Sequence, residues 1–488
     1  MLENLQHIIA STRRFAIDEY FVLALLSVIV IVTFNPDLSN SSKHPRFTWI
    51  LIGILSGFWV LYGNQLAAGE EVKLFYDSII IDDKAVFFKR LILVTGIITL
   101  LHHRFFDYKI EGEFFIFLLG AIFGLFLVVM TTNLLVLFVA LEFVSICSYL
   151  LVVMKKGKPN VESGIKYLLF GATSSAVMLY GMSWFYGITG SLNFADPAFN
   201  AALLDTPAWV IQVVGFMTLG GVLFKLSAAP FHAWTPDIYE ATPTPVASFL
   251  SIAPKAAAVL VMTRIFEHLS VDFVPVLTVI ILLSLTIGNF SALWQTNAKR
   301  MLGYSTIAQA GFILIGLLVN NTTGFQAAYF YVTAYVCITM GAFVLIDLIA
   351  QRTLNYELES MQGLGQFDVI ISVASVILMM ALVGFPPTIG FTSKLLIFSS
   401  LWDVYQFDGN AIYAVVLVFG LLNTAVSMVY YLKIPFYLIV KPRPHKMTWL
   451  YVGFWKYILV AFLAFVTIYL FILPENMIGW VNGFSFLK

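Results

Sequence analysis

Charge is what this 488-residue sequence has least of. Only 11% of its residues are charged, where an ordinary soluble domain carries about a quarter. With 60% hydrophobic and 16% aromatic residues, the soluble globular class is excluded. The reading that remains is an all-α polytopic membrane protein. Its 27 basic and 27 acidic residues balance, so neither nucleic acid nor an anionic surface is an implied partner. The two cysteines, Cys147 and Cys337, lie inside apolar runs. They supply no iron–sulfur or zinc site and suggest no disulfide. The seven histidines are scattered, with only His102 and His103 adjacent, which argues against a haem-binding bundle. No GxGxxG fingerprint follows a strand and no GxxxxGK[ST] loop occurs, so nicotinamide and flavin binding are not expected. The aromatics are spread along the spans, which leaves quinone binding unsupported. Any electron-transfer chemistry therefore belongs to a partner. The opening MLENLQHIIASTRRFAIDEYF mixes acids with its two arginines and lacks a small-residue cleavage site, so it reads as a retained first segment and not a signal peptide.

What the chain does have is long apolar runs. A bilayer core of about 30 Å takes roughly 20 residues of helix. Fourteen runs qualify, numbered here as spans 1 to 14: 20–36, 47–66, 85–104, 113–132, 133–154, 163–190, 208–234, 244–266, 272–295, 298–320, 323–350, 368–400, 409–433 and 454–474. Span 3 is the weakest, because Lys89 and Arg90 sit near its start. Basic residues gather in alternate connections: Lys43 and Arg46; Arg104 and Lys109; Lys155, Lys156 and Lys158; Lys299 and Arg300; Arg352; Lys441, Arg443 and Lys446. The connections near 191–207, 321–322 and 401–408 contain no Lys or Arg. The positive-inside rule then puts the basic loops in the cytoplasm and both termini outside.

Two spans are too long and too interrupted to be simple rods. Span 7 contains FKLSAAPFHAW (224–234) and span 12 contains GFPPTIGFTSK (384–394). Proline removes a donor and clashes with the preceding turn, so each span is expected to break. Broken backbone survives at that depth only against protein or water. The breaks lie five spans apart, and an odd number of helices per repeat inverts the second copy. The expectation is two inverted five-helix units within four segments: 1–112 (spans 1–3), 113–267 (spans 4–8), 268–435 (spans 9–13) and 436–488 (a basic loop and span 14). Paired broken helices are a pointer to a transport site.

Four ionisable residues cannot be assigned to loops or span ends: Glu142, Lys225, Lys255 and Lys394. Each costs at least about 2.5–3.5 kcal/mol at mid-membrane, so they must pair, neutralise or touch water. Glu142 and Lys225 are natural partners, whether as a proton-handling pair or as a structural tie between spans 5 and 7. Lys255 and Lys394 have no evident carboxylate at their depth. Desolvation and mutual repulsion would make gaining and losing a proton cheap there, as a relay requires; arginine would stay protonated. The bland alternative is an amine reaching carbonyls freed by Pro254 or by Pro386 and Pro387. His232 is either a proton-passing group at the inner mouth or a ring satisfied by the break. Lys166 reads as snorkelling, Arg264 and Glu267 as interfacial anchors, Asp237 and Glu240 as caps of helix ends at the inner face or, alternatively, as groups that help protons enter, and Ser174 and Ser175 as packing residues.

KLSAAPFHAWTPDIYEATPTPVASFLSIAPKAA (225–257), NAKRMLGYSTIAQAGF (297–312) and GFPPTIGFTSKLLIF (384–398) resemble the signature of the proton-pumping antiporter-like subunits of NADH:quinone oxidoreductase, respiratory complex I. The PFHxWxPDxYE and PTPVxxFLS pattern is similar to subunit N, the homologue of mitochondrial subunit 2, more than to subunits L or M. Lys394 also favours subunit N, because M-type relatives carry glutamate there. The resemblance covers roughly residues 110–435. It implies that Glu142 and Lys225 are the pair whose separation tunes the lysine, that Lys255 is the central relay residue, and that Lys394 hands the proton outward. It also implies NADH, FMN, iron–sulfur clusters and quinone in partner subunits and no cofactor in this chain. Neighbouring antiporter-like and small membrane subunits would be its partners. The implied location is a bacterial cytoplasmic membrane, or alternatively an organelle's inner membrane. Gln309 stands where many relatives carry histidine, which replaces a proton carrier with an amide able to order water. Ser393 replaces the usual glycine before Lys394. The rival readings are a subunit of a multisubunit sodium/proton antiporter, and a scaffold that only extends a membrane arm.

Overall fold

The computed structural model describes residues 2–35, 45–66, 69–108, 112–154, 158–269, 272–443 and 450–484. Lys43, Lys109, Lys155, Lys156 and Lys446, used above for sidedness, lie outside these. The described chain is almost entirely helical, apart from the hairpin of β1 (Val72–Leu74) and β2 (Ile79–Ile81). In lipid a helix satisfies its own backbone, which is why apolar runs of this length fold so.

Among the described residues, twelve helices are long and apolar enough to cross a membrane, or fourteen when each bent pair counts as one span. Spans 1 to 6 form the helices Ala16–Phe34, Pro45–Gly63, Asp83–Phe105, Glu113–Met130, Leu134–Val153 and Lys158–Thr189. Spans 8 to 11 form Thr244–His268, Val274–Leu293, Ala298–Leu318 and Thr322–Thr353; spans 13 and 14 form Ala411–Tyr431 and Phe454–Ile472. Polar side chains at the heads of the apolar runs start several of them: Asn133 accepts from the amides of Leu135 and Val136, and Asn297 from those of Lys299 and Arg300.

The two interrupted spans are broken where the prolines fall. Span 7 is Ala208–Thr218, a 50° bend, then Gly220–Leu226. Residues 227–234 are irregular, and a short helix Thr235–Ala241 follows. Span 12 is Val369–Val383 and Ile389–Asp408, separated at 384–388. Both first halves end on a left-handed residue, Ser227 at φ 61° and Gly384 at φ 92°. At Gly384 that conformation favours glycine.

Spans 8, 10 and 11 are almost wholly enclosed, whereas spans 1, 13 and 14 show most of their surface outward. The enclosed trio forms the axis on which both broken spans pack. Spans 9 and 10 approach closely because Gly288 lies against the backbone of Ala308 and Gly311 against Leu285.

Charges that look peripheral in the sequence tie spans 1 to 3 to one another and to this body. Lys89 and Asp18 are both 0% exposed, with Lys89 Nζ 2.8 Å from each carboxylate oxygen. The Tyr62 hydroxyl donates to Asp18 Oδ1 at 2.9 Å. Arg264 and Glu267 are not interfacial anchors. Arg264 is buried, donates to both Asp82 oxygens (3.1 and 2.6 Å) and to the Val129 carbonyl (3.1 Å). Glu267 receives Lys84 at 2.7 and 2.9 Å. The loop after span 2 folds back over the end of span 8 and encloses them, which sequence position alone does not show.

Removing one partner of a buried ion pair costs about 3–5 kcal/mol, because the other is left uncompensated. Lys89→Met is expected to lower thermal stability in detergent by that order. The double variant with Asp18→Asn should recover most of the loss, as read from paired melting curves.

Candidate functional site

The three mid-membrane lysines are all buried: Lys225 is 2% exposed, Lys255 0% and Lys394 5%. Lys255 projects from span 8 to the end of span 7's first half. Its Nζ donates to Leu226 O at 2.6 Å and to Thr306 O at 2.8 Å. Lys394, in the second half of span 12, reaches back to the end of the first half and donates to Val383 O at 2.7 Å. Its Nζ also lies 4.1 Å from the centre of the Phe312 ring. The last carbonyls of a helix have no partner within it, and both lysines satisfy such a carbonyl at a break.

Lys225 is different. It sits one residue before Leu226, and its Nζ has no hydrogen-bond partner. The rings of Phe224 and Tyr167 lie 5.5 and 5.9 Å away. Glu142 is within electrostatic range of it, but the two form no direct ion pair. Glu142 is half-buried and instead accepts a hydrogen bond from the Ser175 hydroxyl. The serines are therefore more than packing residues, since Ser174 donates to Gly220 O at 3.0 Å. Around Lys225, the buried Ser227 Oγ, Trp234 Nε1 and Tyr239 hydroxyl also lack protein partners. Buried polar groups are normally satisfied, so this patch is chemically suited to water.

Between Lys255 and Lys394 runs a second polar patch. The Thr306 hydroxyl lies 3.3 Å from that of Tyr335. Tyr335, Tyr331, Gln309, Leu382 and Ser393 border a cavity of about 10 Å³, near the least that holds one water. Gln309 Nε2 donates to Leu382 O at 3.1 Å and to the Tyr431 hydroxyl at 3.0 Å, and its Oε1 accepts from Tyr331. Leu382 O is the neighbour of the carbonyl that Lys394 holds.

The NADH:quinone oxidoreductase/Mrp antiporter transmembrane family matches residues 131–420. The chain belongs to this family. It is 33% identical over 473 residues to NADH-quinone oxidoreductase subunit N 2 of Chloroherpeton thalassium, covering 93% of this chain and 90% of that one. A chain of respiratory complex I from Thermus thermophilus superposes with a TM-score of 0.80 at 28% identity, covering 97% of this chain and all of the other. A chain of the Mrp complex from Dietzia sp. shares the fold, with a TM-score of 0.84 at 18% identity and 97% of each chain covered.

In this family member a charged cluster surrounds the short helix Thr235–Ala241. Asp237 receives Lys166 at 3.1 Å and Arg300 at 2.7 Å, and Arg300 also holds Glu240 at 2.8 Å. Lys166 also pairs with Glu162 at 3.0 Å. Asp237 and Glu240 thus bridge spans 6 and 10 and do not cap a helix. His232 is half-buried in the irregular stretch, with Nδ1 unpartnered.

Sequence reasoning missed one further polar cluster. Asp347 is buried near the end of span 11 and lies 2.7 Å from His102 Nε2. The hydroxyls of Tyr108 (2.8 and 2.9 Å) and Tyr356 (2.9 Å) donate to it as well. Thr244, bonded to Tyr356 at 2.9 Å, opens span 8. Thr244, Ser248, Ser251 and Lys255 then recur on one face of that helix. The usable signal was the spacing of these hydroxyls below Lys255. The contact between His102 and Asp347 spans 245 residues and leaves no local trace.

Burial opposes ionisation of Asp237, but the hydrogen bonds and charges of Lys166 and Arg300 outweigh it and hold its carboxyl below the usual range. A depressed carboxylate stabilises the fold above its unfolded pKa, and the contribution disappears as pH falls through the folded one. The melting-temperature gap between wild type and Asp237→Asn should therefore be flat above about pH 5 and close on acidification below about pH 4. A gap that instead widened with acid would contradict this assignment.

Proposed function

We propose that this chain is the proton-translocating subunit N of a NADH:quinone oxidoreductase, carrying protons along Glu142, Lys225, Lys255 and Lys394. The observation that carries the reading is a row of three buried lysine amines gathered at the breaks of spans 7 and 12, one of them reaching in from span 8, linked by polar side chains. A helix C-terminus is worth up to about 2 kcal/mol to a cation, the same order as the burial cost of at least about 2.5–3.5 kcal/mol. The helix end thus offsets part of the cost of keeping an amine there without removing it.

On this reading a proton enters past His232 and Asp237. It reaches Lys225 and Glu142, crosses by Ser227 and Tyr239 to Lys255, and passes Thr306, Tyr335 and Gln309 to Lys394. The hydroxyl face Thr244, Ser248 and Ser251 offers a second approach to Lys255. The matched ends Leu226–Ser227 and Val383–Gly384 support the division into two inverted units, 113–267 and 268–435, flanked by 1–112 and 436–488. Quinone reduction in partner subunits drives the transfer; NADH, FMN, iron–sulfur clusters and quinone bind there. The chain lies among other membrane subunits in a bacterial cytoplasmic membrane, with both termini outside.

The sodium/proton antiporter alternative shares the fold, but the 33% and 28% identities to oxidoreductase subunits favour the present reading. A scaffold role is disfavoured by the cost of retaining buried amines that apolar residues would remove.

The discriminating variants are Lys255→Met and Lys255→Arg in the intact complex, reconstituted into vesicles. Arginine keeps a cation near the Leu226 and Thr306 carbonyls but does not release its proton. Both variants are expected to assemble and to lower protons moved per NADH oxidised, read with a pH-sensitive dye. Full pumping by Lys255→Arg would make the lysine a structural cap. Full pumping in Met variants at 225, 255 and 394 alike would make the chain a scaffold.

A further inference from the structure

Away from the lysine row, spans 2, 3, 11 and 14 and the helix Glu475–Asn482 surround a cavity of about 530 Å³ near the Asp83 end of span 3. Its wall is mostly apolar and aromatic, with Trp59, Phe87, Val336, Leu470 and Trp480 among the lining residues. One cation faces it. The Arg90 guanidinium lies 3.7 Å from the centre of the Trp59 ring. Its Nε is buried without a hydrogen-bond partner, and no carboxylate among the described residues pairs with Arg90. Asp83, which also lines the cavity, accepts from the Gly69 amide at 3.0 Å. It begins the same helix about 10 Å higher along the axis.

We propose that this cavity is a phospholipid site in which Arg90 holds the phosphate diester and the apolar wall receives part of an acyl chain. Arg90 stands seven residues past Asp83, where its helix begins, and so about 10 Å along it; an unpaired cation inside a span is costly, and a bound anion lowers that cost. Guanidinium forks match phosphate oxygens in a bidentate geometry. Tryptophans such as Trp59 and Trp480 favour the level of lipid headgroups. The lining selects the occupant: a lone guanidinium beside a largely apolar, aromatic wall matches an anionic headgroup joined to an acyl chain. The site is independent of the pumping reading, since its test requires no turnover.

The test is native mass spectrometry of the intact complex, delipidated and titrated with phosphatidylglycerol. Wild type should retain one lipid that Arg90→Gln binds about tenfold more weakly. Val336→Trp, which fills the cavity and leaves Arg90 in place, should displace the same lipid. Should either variant fail to assemble, the other carries the comparison. Equal retention by wild type and an assembled variant would overturn the proposal. So would a density map of the complex in which a neighbouring subunit's side chain occupies the Arg90 fork.

Discussion

The structure depends on what happens to carbonyl oxygens where a membrane helix stops short. In hydrocarbon an orphaned backbone acceptor costs several kcal/mol. Each break is therefore favoured by a donor brought to its free carbonyls. Lys255 supplies one at Leu226 and Lys394 another at Val383, while Gln309 serves Leu382. The breaks therefore explain the buried amines, and the amines explain how the breaks persist. A chain with unbroken spans would need neither.

Fourteen spans, two interruptions and the lysine row were legible because each leaves a local mark: an apolar run, a Pro-rich GFPPT, a lysine in SIAPKAAAVLV. The alternative in which lysines reach freed carbonyls was readable for Lys394, whose acceptor Val383 O lies four residues before Pro387; Lys255 instead reaches Leu226 and Thr306 on other helices, not a carbonyl freed by Pro254. What stayed hidden depends on contacts between distant segments. Asp18 and Lys89 are 71 residues apart and look like ordinary span-end charges. Arg264 and Glu267 looked interfacial because nothing in span 8 announces that residues 82–84 will close over them. The Glu142–Lys225 pairing was inferred from opposite charge at equal depth, which fixes attraction but not contact. The Ser175 hydroxyl takes the carboxylate instead.

That separation bears on how, on the proposed function, partner subunits could drive proton transfer here. Lys255 and Lys394 are tied to backbone carbonyls of packed helices, so their surroundings change only if a break itself rearranges. Lys225 has no such tie, and the carboxylate it senses is held by one serine hydroxyl on the adjacent span. Coulomb energy at an effective dielectric near 20 is about 4 kcal/mol for charges 4 Å apart, and it falls inversely with distance. A shift of Glu142 by about 1 Å toward or away from Lys225 thus changes their attraction by a fraction of a kcal/mol, and a doubling of the distance halves it. On the proposed function, span 5 is where a push from a neighbouring subunit has most leverage. The tied lysines downstream respond through the proton they receive.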